Sequence, residues 1–477
     1  MTQQPSKVYK NLAKDTALFA LSSFGSKILV FLLTPLYTYV LTTTEYGIAD
    51  LINTTIHFIY PVLTLAIADA TLRYALDKSV SKTHVLNNSM LFTLLASLIL
   101  VLFYPLIGTL SNTLNEYWII FILNFTLFNI QNCFSNFLKG IGKTALFAIQ
   151  GILHTISLII CNILFLLVFK TGLYGYLIST VIGHIIPILL MFFAGKIYKH
   201  WRPLDIDKQL MKDMLKYSIP MIPTLLAWAI NTSIDKYMII YFVGLAESGV
   251  YSVAHKIPTI LTTVLSIFTQ AWQLSAISNC GDKNESGLYT SIYNKLDVIS
   301  VLGCMTIIGS AQLMSSILFA KNFYVAWKCV PMLIISAMFS SHAGFLAAAF
   351  RAYKKTSGLF LSVIAGSIVN IALNLILIPA FGIIGAAIGT ATGFFVLWLT
   401  RIVMIKQIVD IKINWLKTAL TYMLMIFSAY VISFEVKFSY GIFAIAFLTI
   451  IILNFNTLKY SVSSVLEVLM KKFKLSK

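Results

Sequence analysis

Apolar runs of roughly 18–25 residues, long enough to cross a bilayer as helices, recur fourteen times along this 477-residue chain. Their approximate limits are 16–41, 47–70, 86–110, 117–138, 145–169, 173–195, 217–243, 248–275, 291–320, 327–350, 357–379, 383–404, 415–434 and 438–456. In hydrocarbon every backbone polar group must be satisfied internally, which admits only helices or closed barrels. A barrel would show alternating segments of about ten residues instead. The expected class is therefore an all-α integral membrane protein with about 14 transmembrane helices. A composition of 58% hydrophobic and 11% charged residues excludes an ordinary soluble domain. The five cysteines form no CxxC and lie mostly in apolar runs, so small buried thiols are expected, with no disulfide framework, metal or cofactor. Met1–Asp15 is polar and basic and the run behind it is too long for a signal h-region, so no cleavable leader is expected.

The net charge of +18 raises the question of nucleic acid, and its distribution answers it. With the N-terminus inside, 27 of the 35 basic residues fall on the cytoplasmic side and four (Lys170, Lys321, Lys328 and Lys437) in outer loops. That asymmetry is a positive-inside signal, so the basic excess sets topology and meets lipid, and nucleic acid is excluded as a partner. Both termini are expected in the cytoplasm. The tail Thr457–Lys477 alternates apolar residues with lysines, as a basic amphipathic helix on the inner leaflet does.

The chain also repeats itself. Lys139-Gly-Ile-Gly-Lys143-Thr144 corresponds to Arg351-Ala-Tyr-Lys-Lys355-Thr356, Gly172-Leu-Tyr-Gly175 to Gly382-Ile-Ile-Gly385, and Glu45-Tyr-Gly47 to Glu247-Ser-Gly249. Six runs separate each pair, an even number, so both copies share one orientation. The expected organisation is an N-terminal lobe with interlobe linker at 1–213, a C-terminal lobe at 214–405, and two further helices with the basic tail at 406–477. Substrates of such duplicated transporters commonly bind in a central cavity between the halves, which alternate access by rocking.

Four cations lie within or at the edges of spans: Lys27, Lys236, Lys256 and Lys295. Lys27 stands at least roughly 16 Å from either end of its run at ~1.5 Å per residue, where an ammonium costs on the order of 3 kcal/mol even on mild scales. It should face a wet cavity or an anion, against the plainer alternative of a structural pairing. The repeat places Ala229 at the matching position, so the expected charge is asymmetric. Asp69 and Arg73 share one helix face, as a local ion pair or as a capture site at the inner mouth. Asn53 and His57 sit higher on that span; a hydrogen-bonded structural histidine competes there with a proton sensor. Asp235 and Lys256 lie at similar depths and could pair across a hairpin, with His255 beside them. Asn129, Asn132 and Asn136 line one face of the fourth span, suited to sugar hydroxyls or to interhelical hydrogen bonds. No Walker A loop, HExxH or Ser-His-Asp arrangement is present, so catalysis is not expected.

Over its whole length the sequence resembles the polysaccharide-transport branch of the multidrug/oligosaccharidyl-lipid/polysaccharide exporter superfamily, the oligosaccharide flippases. The residues that carry this are Pro35-Leu-Tyr with Glu45-Tyr-Gly47, Leu72-Arg73-Tyr74, and Asp235-Lys-Tyr237 followed by Gly249-Val-Tyr251-Ser-Val-Ala-His-Lys256. The resemblance implies movement of an undecaprenyl-pyrophosphate-linked oligosaccharide from the inner to the outer leaflet of a bacterial plasma membrane, for cell-surface polysaccharide synthesis. It implies a cationic cavity for the pyrophosphate, with Lys27, Arg73, Lys236 and Lys256 as its candidates here. Asn53, His57, Asn129, Asn132 and Asn136 are the glycan candidates, and Asp69, Asp235 and His255 the coupling candidates. Expected partners are the lipid-linked oligosaccharide, membrane lipids, a polysaccharide polymerase and glycosyltransferases. A multidrug or toxin cation antiporter and a lipid-linked peptidoglycan-precursor flippase stay open as alternatives. The sequence leaves the sugar and the energy source open.

Overall fold

The structure, a computed structural model, describes residues 25–474 apart from 26, 104–111, 204, 279–280, 282–284, 354 and 356. The basic residues ahead of position 25, the start of the 16–41 run, the end of the 86–110 run, and Lys283 and Lys354 lie outside the described residues, as do the side chains of the basic tail from 460 on. The described chain is helical, with no strand among the described residues.

Contacts group the chain into two units. Unit 1 takes Met1–Tyr237 and Gly244–Ser252, and unit 2 takes Met238–Val243 and Val253–Lys477. The first helices are α1 (Lys27–Val40), α2 (Thr43–Leu63), α3 (Ile67–Leu76) and α4 (Lys82–Leu102). They are followed by α5 (Trp118–Gly140), α6 (Thr144–Asn162, prolonged by a wide turn at Ile163–Val168), α7 (Gly172–Phe193) and α8 (Lys208–Ser218). Next come α9 (Ile222–Phe242) and α10 (Leu245–Ala254), through which the division between units passes. The remainder is α11 (Lys256–Ser278), α12 (Glu285–Leu318), α13 (Val330–Ala352), α14 (Ser357–Ile405), α15 (Trp415–Ser433) and α16 (Ser439–Lys474).

Ten described helices are long and apolar enough to cross a membrane, or eleven if α2 and α3 form one broken span. The difference from fourteen has identifiable sources. The first run is described without a gap only from Lys27 on, and α9 carries Asp235 and Lys236. The runs 357–379 and 383–404 join in a single element, α14, around Gly382 at φ 57° and ψ −135°. Only glycine adopts that backbone without strain. The matching turn in the first half also has a left-handed glycine, Gly172 at φ 58°.

In unit 1, α5 is the hub. Toward its C-terminal end Phe134, Phe137 and Leu138 pack with Ile67 and Ala70 of α3, Val85 and Met90 of α4, Met191 of α7 and Met214 of α8. Toward its N-terminal end Phe121 and Phe125 meet Ile52 and Ile56 of α2 and Leu173 and Leu177 of α7. The α2–α3 break follows Pro61, which has no N–H to donate, and falls at Leu65 and Ala66, both left-handed at φ 52° and 51°. The two helices meet at 61°. The basic segment behind α7 is tied down by Asn87 of α4, whose side chain accepts from the Arg202 N–H at 3.0 Å and donates to the Asp205 carbonyl at 2.8 Å.

In unit 2 the hub is α13, with 83% of its spanning window buried. Trp272 of α11 stacks on Phe345 with ring centroids 4.6 Å apart. Arg401, near the end of α14, turns inward to donate to Ser362 Oγ at 2.9 Å and the Ala343 carbonyl at 2.8 Å. It thereby joins both arms of α14 to α13.

Candidate functional site

The site of interest in unit 1 begins where α2 crosses α10. A Cβ placed on Gly47 would lie 2.1 Å from the Leu245 carbonyl oxygen, and one on Gly249 would lie 2.1 Å from the Thr43 carbonyl oxygen. Any side chain at either position would drive the backbones apart. Gly47 and Gly249 are equivalent positions of the internal repeat, and so are Thr43 and Leu245. The contacts are therefore reciprocal, as about a two-fold axis. The entry of α2 is fixed by a capping box: Thr42 Oγ1 accepts from the Glu45 N–H at 3.2 Å, and the Glu45 carboxylate accepts from the Thr42 N–H at 2.8 Å.

One turn further along α2, the Asp50 carboxylate accepts from Lys236 Nζ of α9 at 2.8 and 3.1 Å, a two-oxygen grip. Both side chains are under a fifth exposed, at 19% and 17%. Asp50 also accepts from Ser252 Oγ of α10 at 2.7 Å and from Thr54 Oγ1 at 3.4 Å. Three helices thus converge on one carboxylate. The neighbouring Asp235 is 1% exposed and accepts from the Tyr251 hydroxyl at 2.6 Å and from the Lys236 N–H at 2.9 Å. Thr55 and Tyr237 link α2 to α9 through their hydroxyls, 2.9 Å apart.

Below the ion pair a cavity of about 200 Å³ opens between α2 and α9. Thr54, His57, Phe58 and Tyr60 form one wall, and Trp228, Ala229, Thr232 and Ser233 the other. The indole of Trp228 is 44% exposed. Aromatic faces beside hydroxyls and an imidazole suit a ligand with apolar faces and many hydroxyls.

The other sequence-derived residues are distributed as follows. His57 lines this cavity, and Asn53 is half-buried on the same helix. Lys27 opens the described part of α1 with an exposed side chain, and no ion pair holds it among the described residues. Asp69 and Arg73 lie on α3, past the 61° bend, and make no ion pair with each other; Arg73 is exposed. Beyond α3, Asp77 is held below the ordinary carboxylate value by the Ser79 hydroxyl and N–H. His255 and Lys256 fall at the α10–α11 junction, in unit 2. The amide stripe of α5 is largely spent on its own helix. Asn129 donates to the Phe125 carbonyl at 2.8 Å, and Asn136 donates to the carbonyl and side-chain oxygens of Asn132 at 3.0 and 2.9 Å.

Asp50 was not singled out by sequence reasoning. A signal existed: carrying the Glu45/Glu247 and Gly47/Gly249 correspondence three residues further sets Asp50 against Ser252, the residue that bonds it.

A protein-family model described as polysaccharide biosynthesis protein matches residues 12–273. Among curated proteins, the uncharacterized membrane protein MJ1375 of Methanocaldococcus jannaschii is 24% identical over 57% of this chain and 67% of its own length. MJ1068 of the same organism is 23% identical over 64% of this chain and 62% of its own length, so less than two thirds of that relative is spanned. Among solved structures, the lipid II flippase MurJ in an inward closed conformation superposes with a TM-score of 0.69 at 16% identity, over 93% of this chain and all (100%) of that one. An inward-facing multidrug resistance MATE family transporter gives 0.62 at 14%, over 82% and 94%. A transporter from Pyrococcus furiosus described by the reverse polarity of its binding pocket gives 0.59 at 14%, over 83% and 96%. At these identities the likeness is one of fold.

Proposed function

This chain belongs to the polysaccharide biosynthesis protein family, within the multidrug/oligosaccharidyl-lipid/polysaccharide exporter superfamily, and from that premise we propose that it flips a lipid-linked oligosaccharide across its membrane. The cargo of this reading is an undecaprenyl-pyrophosphate-linked repeat unit. It moves from the inner to the outer leaflet of a bacterial plasma membrane by alternating access, with both termini of the protein in the cytoplasm. The observation that carries the reading is the family match, because residues 12–273 contain the whole Asp50–Lys236 pair and the cavity beneath it.

The physical logic is ligand exchange. A pyrophosphate is a stronger partner for an ammonium than a single carboxylate, so an arriving headgroup competes with Asp50 for Lys236. Arg73 and Lys27, both exposed, supply further positive charge in unit 1, and Lys256 is the cation candidate of unit 2. The glycan meets Trp228, His57 and the hydroxyls of the cavity. Asp69, Asp235 and His255 are the groups proposed for coupling in this part of the chain.

The superposition with the lipid II flippase favours a second reading, a peptidoglycan-precursor cargo with the same headgroup chemistry. Reconstituted vesicles offered either labelled lipid-linked oligosaccharide or labelled lipid II separate the two. Faster leaflet exchange of the oligosaccharide supports the first reading; exchange of lipid II alone replaces it with the second. In cells, Lys27→Ala at unchanged membrane abundance should abolish surface glycan, and undiminished display would remove Lys27 from the site.

A further inference from the structure

The core of unit 2 contains a carboxylate and an imidazole facing each other. Asp297 of α12 is 9% exposed, and its Oδ1 accepts a hydrogen bond from the Tyr422 hydroxyl of α15 at 2.5 Å. The same oxygen lies 3.8 Å from Nδ1 of His342 on α13. That is too long for a hydrogen bond and within reach of an ion pair if the ring is protonated. His342 is fully buried, and neither ring nitrogen has a hydrogen-bond partner among the described residues. A neutral imidazole there leaves one donor and one acceptor unused, while buried polar groups are nearly always bonded. A buried carboxylate beside it with one strong hydrogen bond is also poorly compensated.

The groups around the pair do not remove this deficit. On α12, the Tyr293 hydroxyl accepts from the Trp398 indole of α14 at 2.8 Å, and Cys304 donates to the Ile334 carbonyl at 3.6 Å. Arg401 of α14 is committed to Ser362 and the Ala343 carbonyl. Lys417 of α15 exerts an electrostatic pull on Asp297, yet its ammonium bonds Thr457 Oγ1 of α16 at 3.4 Å. Asn454, also on α16, gives a neutral amide to Thr421 at 3.4 Å.

One proton meets both needs. Before uptake the pair is a carboxylate and a neutral imidazole, with a net charge of −1. After uptake it is a carboxylic acid with an imidazole, or a carboxylate with an imidazolium, and the net charge is zero. No other bond forms or breaks. We propose that Asp297 and His342 together form a single-proton binding site, with Tyr422 as the residue that positions the carboxylate. The side chain of Asp297 keeps 12% exposure, so the carboxylate is not completely sealed by its neighbours. Because the three residues sit on α12, α13 and α15, occupancy ties the packing of those helices to pH.

The test needs no cargo and so does not depend on the transport reading. Full-length protein in lipid nanodiscs is stepped between alkaline and acidic buffer and followed by infrared difference spectroscopy, with 15N-histidine labelling to follow the rings. A protonated-carboxyl or imidazolium signal that Asp297→Asn removes, and Asp297→Glu restores, supports the site. His342→Gln serves where Asp297→Asn does not assemble: the carboxyl signal should persist with a displaced midpoint. Signals identical to wild type in Asp297→Asn, an unmoved midpoint in His342→Gln, or no proton uptake by the wild type overturn the proposal.

Discussion

Ser252 donates a hydrogen bond to Asp50 across 2.7 Å, and the two residues are 202 apart, the spacing at which the chain repeats its own pattern. The same position of the two repeats thus provides an acid in one copy and a hydroxyl in the other. A duplicated helix pair has diverged to hold a charge on one side only, and Lys236 answers it.

Removing one member of that pair should cost more than removing both. Lys236→Met removes the ammonium that grips Asp50, and the thermal unfolding of the detergent-solubilised protein should show a loss of about 3–5 kcal/mol, the range for breaking a largely buried pair. Adding Asp50→Asn should recover at least half of it. Equal and additive losses would show that the two charges are not coupled.

Gly249→Ala should be more damaging than an alanine substitution elsewhere on α10. Its methyl carbon would lie 2.1 Å from the Thr43 carbonyl oxygen, well inside van der Waals contact. Overpacking of this kind costs about 1–3 kcal/mol. Gly47→Ala should behave alike because the contact is reciprocal, and a large difference between the two melting temperatures would argue against the two-fold crossing.

Asn87→Ala should loosen the segment behind α7 without disturbing the spans. It removes partners from the Arg202 N–H and the Asp205 carbonyl. Leaving such groups unpaired costs about 1–3 kcal/mol. Hydrogen–deuterium exchange should quicken at residues 202–207 and stay unchanged in α5; protection retained at the linker would contradict the role given to Asn87.

Trp228→Ala should weaken cargo handling while leaving the fold intact. Its side chain is 44% exposed, and it walls the cavity beneath the ion pair. Loss of an aromatic platform worth roughly 1–1.5 kcal/mol corresponds to about five- to tenfold, expected as a higher cargo concentration for half-maximal flipping. An unchanged concentration dependence would place the glycan elsewhere.

The membrane class was legible in the sequence because apolar length and charge asymmetry are additive properties that need no knowledge of contacts. The repeat was legible too, and Gly47 and Gly249 are paired in space as they are in sequence. Partner choice was not. Asp235 has a tyrosine partner in Tyr251, while the lysine beside it reaches Asp50, far away in the chain. Periodicity gives the face on which a side chain lies, but not which of several nearby helices will meet it. The α5 amides show the same limit: a stripe of asparagines looks like a binding surface until Asn129 and Asn136 bond their own helix. Asp297 and His342, on the consecutive helices α12 and α13, have no sequence signature of their proximity.

The break between α2 and α3 has a mechanical consequence. Two successive non-glycine residues, Leu65 and Ala66, hold left-handed backbone angles, each at a cost of about 1–2 kcal/mol. Asp50 therefore rides on one rod, and Asp69 and Arg73 on another set at 61° to it. Such a span is a jointed arm rather than a lever: the rod that carries the clasp is set apart in direction from the one that packs against the C-terminal end of α5, so a pull at Asp50 does not run straight along a single axis to Arg73.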